Sequence, residues 1–260
     1  MGADHETATA LRIDDLGDGV TSVRICRPPN NFFDEALIAE LATSTKQLSD
    51  SGLRAIVLCS EGKNFCAGAD LSAGAKKSER PLGIYDWALD LFECEIPIVA
   101  AVQGAAVGGG MGLALAADFR VGDATTRFVA NFARLGFNQG FALTETLPEL
   151  VGRQKALELL LTARTIDSAE AHRIGLLDHV APDGEIEHVA VRLAREIAAN
   201  APLAVRTVRR LLLSDRNRRL RAVVEQESAE QRRLMKTHDF REGVRAIKER
   251  RTPIFTGVDS

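Results

Sequence analysis

The chain alternates short apolar runs with stretches whose apolar residues recur at helical spacing. In "GVTSVRICR" (residues 19–27), Val20, Ser22 and Arg24 alternate with Thr21, Val23 and Ile25, the period of a strand. Phe33, Leu37, Ile38, Leu41 and Leu48 then follow a helical period, which Gly52 closes. "LRAIVLCS" (residues 53–60) and "IPIVAAVQG" (residues 96–104) are continuous apolar runs of strand length, as buried parallel strands require. Between them "PLGIYDWALDLFECE" (residues 81–95) predicts a helix, and a shorter one is predicted from Gly108 through Ala117. Strand, helix, strand, helix with buried strands predicts an α/β layer with right-handed crossovers.

From Leu147 the pattern turns almost wholly helical. "RQKALELLLTAR" follows Gly152, and "DSAEAHRIG" offers Asp167 or Ser168 as N-cap and Gly175 as C-cap. "APLAVRTVRRLLL" carries proline in its first turn, and an amphipathic stretch runs from Leu220 to Met235. The expected division is an α/β core over residues 1–200 and a helical region over 201–260.

A chain of 260 residues, 45% hydrophobic, suffices for one large core. Its net charge of −3 argues against nucleic acid as a partner. Arg206, Arg209, Arg210, Arg216, Arg218, Arg219 and Arg221 cluster, but Asp215, Glu225 and Glu227 accompany them. That face reads as solvated or subunit-facing, with a phosphate-binding face as the alternative. Cys26, Cys59, Cys66 and Cys94 form no CxxC pair, so reduced thiols and no metal site are expected. The polar start does not resemble a signal peptide, and the run from Ile96 to Val107 is too short to span a bilayer. The expectation is a cytoplasmic protein without a membrane partner.

Two small-residue loops each follow a buried strand: "NFCAGADL" (residues 64–71) and "GAAVGGGMG" (residues 104–112). Ligands of open α/β sheets bind beyond the carboxyl ends of strands. Small side chains let a ligand reach the backbone, and a helix N-terminus adds free N–H donors. Two such loops can hold one oxygen between two N–H groups, as an oxyanion hole does. The competing reading is tight strand–helix packing. A phosphate loop is excluded, because no Lys-Ser/Thr follows the glycines.

These loops, with "IPIVAAVQGAAVGGGMGLALAADFRV", "RLGF", "LPELVG", "ALELLLTARTIDSAEAHRIGLLDHV" and the tail "DFREGVRAIKERRTPIFTG", resemble the enoyl-CoA hydratase/isomerase (crotonase) superfamily. The resemblance implies an α/β crotonase (ClpP-like) fold of repeated ββα units with a helical C-terminal trimerisation region. It implies a homotrimer or dimer of trimers acting on an acyl-CoA thioester, with coenzyme A part of the substrate and no permanently bound cofactor. Carried over by position, the N–H groups of Ala69 and Gly109 are the oxyanion-hole donors. Phe32, Ala67, Asp70, Leu71, Gly108, Asn131 and Leu135 fall at substrate- or CoA-binding positions, Asp70 chiefly ordering its loop. Lys248 and Phe255 match tail positions that contact CoA from a neighbouring subunit.

The chain departs from the family's hydratases at their acid/base positions. The two glutamates of those enzymes correspond to Gly112 and Phe132, and an aspartate used by other members corresponds to Gly140. None of the five histidines falls in the motif region. Glu145, Asp86 and Asp90 are the remaining acid/base candidates, each weighed against a plain structural role: helix start for Glu145, solvated helix face for Asp86 and Asp90. Two functions therefore stand. One is an enzyme, lyase or isomerase, that stabilises a thioester enolate with non-standard acid/base groups and without efficient hydration. The other is a non-catalytic acyl-CoA-binding protein.

Overall fold

The computed structural model describes residues 10–70, 78 and 80–258. In chain order the elements are β1 (Leu11–Asp15), β2 (Val20–Ile25), α1 (Glu35–Asp50), β3 (Ala55–Ser60), α2 (Ile84–Phe92), β4 (Ile98–Ala101), β5 (Ala105–Val107) and α3 (Gly109–Ala116). Then come β6 (Phe119–Gly122), β7 (Arg127–Val129), a 3₁₀ turn (Ala133–Leu135), α4 (Leu143–Val151), α5 (Arg153–Thr162), β8 (Thr165–Asp167), α6 (Ser168–Arg173), β9 (His179–Val180), α7 (Ile186–Ala198), α8 (Pro202–Leu234) and α9 (His238–Lys248). One sheet runs β1-β2-β3-β4-β6-β9; a second, smaller one runs β5-β7-β8.

The apolar strands sort their side chains by parity. Val23, Ile25, Ile56, Leu58, Ile98 and Ala100 join the large core with α1, α2 and α3. Val20, Ala55, Val57, Cys59, Val99 and Ala101 join Val189, Ala190 and Ala194 of α7 on the other face. A sheet covered on both faces must be apolar on both, which explains the continuous runs. It also explains a difference at β2. The alternation there predicts one wet face on Val20, Ser22 and Arg24, yet Ser22 is buried because α7 lies over that face.

β4 is followed by β5 in the second layer and then α3; β6 is followed by β7, the 3₁₀ turn and α4. This strand, short strand, helix unit repeats, and Cys66 begins a third copy through its isolated parallel bridge to Ala106. The second-layer strands are three residues long, too short to show a period, so their pattern is silent in the sequence. β8 and β9 likewise interrupt the stretch after Leu147 that reads as helical, because each borrows its pairing from an earlier strand. The two predicted C-terminal helices are one, α8, 33 residues long with Pro202 at its start. It packs on α2 and α4 of its own chain, and α9 on the 3₁₀ turn. Asp167 is the N-cap of α6, accepting from Glu170 N.

Candidate active site

The two small-residue loops leave the carboxyl ends of β3 and β4 and are tied together by main-chain bonds. Phe65 N donates to Gln103 O (2.8 Å), Cys66 N to Ala105 O (3.1 Å) and Val107 N to Cys66 O (3.0 Å). Asn64 Oδ1 accepts from Ala105 N (3.1 Å). The first loop is also stitched to the segment before α1: Phe33 N donates to Gly68 O (3.0 Å) and Asp70 N to Phe33 O (2.8 Å). In an extended segment neighbouring N–H groups point opposite ways, so the Ala69 N–H is turned away from Phe33. Gly109 opens α3, where an N–H has no partner within the helix. Among the described residues neither N–H meets a protein acceptor. Gly68, Gly108 and Gly110 are buried, whereas Ala69 and Gly109 reach the surface. The loops therefore expose two unengaged donors, which solvent or a ligand oxygen must satisfy.

Close approach dictates the glycines. A Cβ on Gly109 would lie 2.9 Å from Phe33 Cε1, and one on Gly110 would lie 2.8 Å from the Cys66 carbonyl carbon. Gly108 has φ +54° and lies beside Asn131, whose Oδ1 would be 2.9 Å from a Cβ there. Packing and donor exposure are thus two consequences of the same small residues. The Cys66 thiol beside them is pushed up to about 12 by burial, so it offers no thiolate at neutral pH.

At the positions where the resemblance implies acid/base groups, the structure places aromatic and polar side chains. At Gly112 a Cβ would lie 2.5 Å from Phe141 Cβ and 3.0 Å from its Cγ. Phe141 is buried against Phe33 (centroids 5.8 Å apart) and Phe92 (6.4 Å). The Phe132 ring is buried and meets Phe137 edge-on at 5.5 Å, which meets Phe240 of α9 at 5.3 Å. At Gly140 a Cβ would collide with the Tyr85 hydroxyl and approach Gln231 Nε2 to 2.8 Å.

The other candidates are engaged in structure. Asp86 is buried rather than solvated: its Oδ2 accepts from Leu82 N (2.8 Å), closing the start of α2, where Gly83 offers no side-chain cap. Asp90 pairs with Arg80 (2.7 Å), whose guanidinium lies 4.2 Å over the Trp87 ring. Glu145 pairs with Arg219 of α8. These contacts leave none of the three carboxylates as an isolated base.

Ala67 is half-buried and Asp70 exposed, both beside Ala69 in the chain; Phe32 is exposed and precedes Phe33, which bridges to Ala69; Leu71 lies outside the described residues. Leu135 is buried beneath α9, where Gly243 allows a close approach to its carbonyl. Lys248 ends α9 and is exposed, as is Phe255. Of two shallow hollows, one, lined by Asp18, Arg54 and Arg195, sits toward the amino end of β3, and the other runs along α7 from Glu187 to Ala199; none of the loop residues lines either.

A polar cluster unmarked in the sequence stands behind Gly140. Tyr85 of α2 donates to Gln231 Oε1 of α8, and Gln231 Nε2 donates to Asn138 O (2.8 Å). Glu227, one turn earlier on α8, is buried and accepts from Ala142 N (2.9 Å) and Thr144 N (2.8 Å). Burial raises the Glu227 carboxyl above the usual carboxylate range. Its two bonds hold a strained turn: Phe141 and Ala142 have φ +59° and +61°, a conformation costing about 1–3 kcal/mol at each non-glycine residue. No motif flags these residues, since they come from segments more than 80 positions apart.

The layered ββα repeat, with two backbone loops at the strand ends and helices folded over them, defines a crotonase-type α/β protein. The chain belongs to the enoyl-CoA hydratase/isomerase family, whose model matches residues 15–258. A probable enoyl-CoA hydratase of Rhodobacter capsulatus is 33% identical over 94% of this chain and 96% of its own length. The 1,2-epoxyphenylacetyl-CoA isomerase of Escherichia coli is 29% identical over 92% of this chain and 95% of its own. The crystal structure of an enoyl-CoA hydratase/isomerase from Pseudoalteromonas atlantica superimposes with a TM-score of 0.88 at 31% identity, covering 95% of this chain and 100% of that one. Among the described residues no helix is long and apolar enough to cross a membrane, and no group of His, Cys, Asp and Glu could hold a metal ion.

Proposed function

We propose that this chain is an acyl-CoA enzyme that seats a thioester oxygen between the N–H groups of Ala69 and Gly109 and stabilises the enolate formed there. The observation that carries the reading is that the two stitched loops surface at these residues, each with an unengaged donor. Negative charge grows on the thioester oxygen as the enolate forms, so fixed donors bind the transition state better than the ground state. Coenzyme A enters as part of the substrate, and no resident cofactor takes part. Hydration of an enoyl thioester needs a base for water and an acid for C2. Positions 112, 132 and 140 carry no carboxylate, so efficient hydration is not the reaction. Chemistry in which another bond change generates the enolate, such as loss of a carboxylate or cleavage of a C–C bond, needs fewer such groups.

Ala69→Pro tests the reading, because it removes one donor that no ladder bond uses. Against a panel of enoyl-, 3-oxoacyl- and malonyl-type thioesters, kcat falls by about 10²–10³ while the fold, followed by circular dichroism, is kept. Unchanged kcat overturns the oxyanion assignment. Wild-type turnover of crotonyl-CoA above about 1 s⁻¹ overturns the claim against hydration.

A second reading, a non-catalytic acyl-CoA binder, is favoured by one observation: all three acid/base positions are occupied by other side chains. Tight calorimetric binding of thioesters without turnover of any would establish it. For the assembly we propose a homotrimer or dimer of trimers built through the region from α8 onward, in the cytoplasm. The exposed Leu203, Val208, Leu211 and Leu212 of α8 support that assembly, since a solvated helix gains nothing from such a row. The onset of α8 at Pro202 supports the division near residue 200.

A further inference from the structure

The donors at Ala69 and Gly109 come from separate loops. Among the described residues, the main-chain bonds between those loops end at Cys66 and Val107. Ala69 and Gly109 both lie beyond that point, and Phe33, in the segment before α1, is joined to each. Its main chain brackets Ala69: Phe33 N donates to Gly68 O (3.0 Å) and Phe33 O accepts from Asp70 N (2.8 Å). Ala69 is thus suspended between two residues bonded to Phe33. The ring of Phe33 lies against Gly109. The three atoms nearest to a Cβ built there are all its own, with Cζ inside contact distance and Cε1 at 2.9 Å. Residue 109 is glycine because that ring takes the space.

Phe33 itself has little freedom. Asn31 is buried and donates through Nδ2 to Glu61 O and Asn64 O (2.7 Å each), which ties the segment to the root of the first loop. Asp34 caps α1, accepting from Leu37 N (2.9 Å). The ring is buried and backed by Phe141, with centroids 5.8 Å apart. The turn at Phe141 is held in place by Glu227 of α8 through Ala142 N and Thr144 N. A side chain fixed at its main chain and backed at its ring transmits position, because a close-packed interior does not yield.

We infer that Phe33 is a positioning residue that sets the separation of the Ala69 and Gly109 N–H groups. This inference rests on the oxyanion reading above. Both donors serve one oxygen only when each lies about 2.7–3.1 Å from it. Leucine at position 33 withdraws the ring edge from Gly109 and frees the first turn of α3 to shift against the first loop. Phe92 is the control for packing alone. It is buried in the same cluster, and its ring meets Phe141 at 6.4 Å.

The experiment is isotope-edited infrared spectroscopy of butyryl-CoA labelled at its carbonyl carbon and bound to wild type, Phe33→Leu and Phe92→Leu. The thioester is saturated, and its carbonyl stretch falls in frequency as hydrogen bonds polarise it. Thermal melts establish that each variant folds. The expected result is a lowered frequency on wild type and on Phe92→Leu, with about half or more of the shift lost on Phe33→Leu, since hydrogen bonds weaken steeply with distance and angle. Should Phe33→Leu not fold, Phe33→Tyr replaces it. That variant keeps the ring, drives an oxygen at Cζ against Gly109, and is expected to lose the shift as well. A full shift on the Phe33 variant, or an equal loss on Phe92→Leu, overturns the inference and leaves the oxyanion reading standing. Binding to wild type without a shift overturns the oxyanion reading, and failure to bind overturns the acyl-CoA reading; this inference falls with either.

Discussion

Placing a glutamate at position 112, where the resemblance implies one in the family's hydratases, tests whether the space there can accept it. A Cβ there lies 2.5, 3.0 and 3.1 Å from Phe141 Cβ, Cγ and Cδ1, all tighter than ordinary contact. Phe141 has little freedom to retreat. Its ring is held between Phe33 and Phe92, its backbone is left-handed, and the next N–H is fixed by Glu227. Overpacking of this kind costs about 2–3 kcal/mol, against which alanine gains about 1 kcal/mol over glycine within a helix. Gly112→Ala is therefore destabilised by about 1–2 kcal/mol, a fall in Tm of about 2–8 °C for a chain of this size. Gly112→Glu is worse, since it adds a longer side chain and a carboxyl that must be desolvated. Combining Gly112→Glu with Phe141→Ala opens the space, so the double variant is less destabilised than the sum of the singles by more than about 1 kcal/mol. Thermal melts followed by circular dichroism give the stabilities, and the loss of enoyl absorbance of crotonyl-CoA gives hydration. Gly112→Ala melting at or above wild type would refute the packing argument. Full stability together with new hydratase activity in Gly112→Glu would refute it altogether.

Other consequences follow from charges and surfaces. Arg120 is buried, with Nε on Leu176 O (2.8 Å), Nη1 on Ala117 O (3.0 Å) and Nη2 on Asp178 (2.6 Å). Asp178→Ala strands that cation, so chemical denaturation should show a loss of about 3–5 kcal/mol; a loss under 1 kcal/mol would contradict it. Glu242 is lowered to about 2, first by Arg251 (2.5 Å) and then by the Ile254 N–H (2.9 Å). A depressed carboxyl contributes stability above its unfolded pKa of about 4.3, lost as pH falls toward 2, so hydrogen exchange at Ile254 should accelerate over that window and Glu242→Gln should flatten the response. If α8 is an assembly face, light scattering gives a trimer or hexamer at micromolar concentration, and Leu211→Glu with Leu212→Glu gives monomer. A wild-type monomer would remove that role from α8.

What was legible in the sequence is what one period or one contiguous motif carries. β3 and β4 announce themselves because both faces are covered, and α6 because Asp167 and Gly175 bracket it. The loops are legible because closeness forces small residues, and small residues are rare enough together to be seen. Gly112 and Gly140 show the limit of that reasoning. The sequence reveals that each lacks a carboxylate but not what stands there, because the replacements, Phe141 and Tyr85, come from elsewhere in the chain and meet the glycines only when folded. Asp86 shows the same limit from the other side. Helical periodicity puts it on a polar face, yet the fold buries it, because α8 lies on α2 and the Leu82 N–H needs an acceptor. The glycines at 112 and 140 are therefore not vacancies. The space beside Gly112 is taken by the Phe141 ring and the space beside Gly140 by the Tyr85 hydroxyl and the Gln231 carboxamide, each from another part of the chain. A single carboxylate placed at either position meets the partner before it meets a substrate.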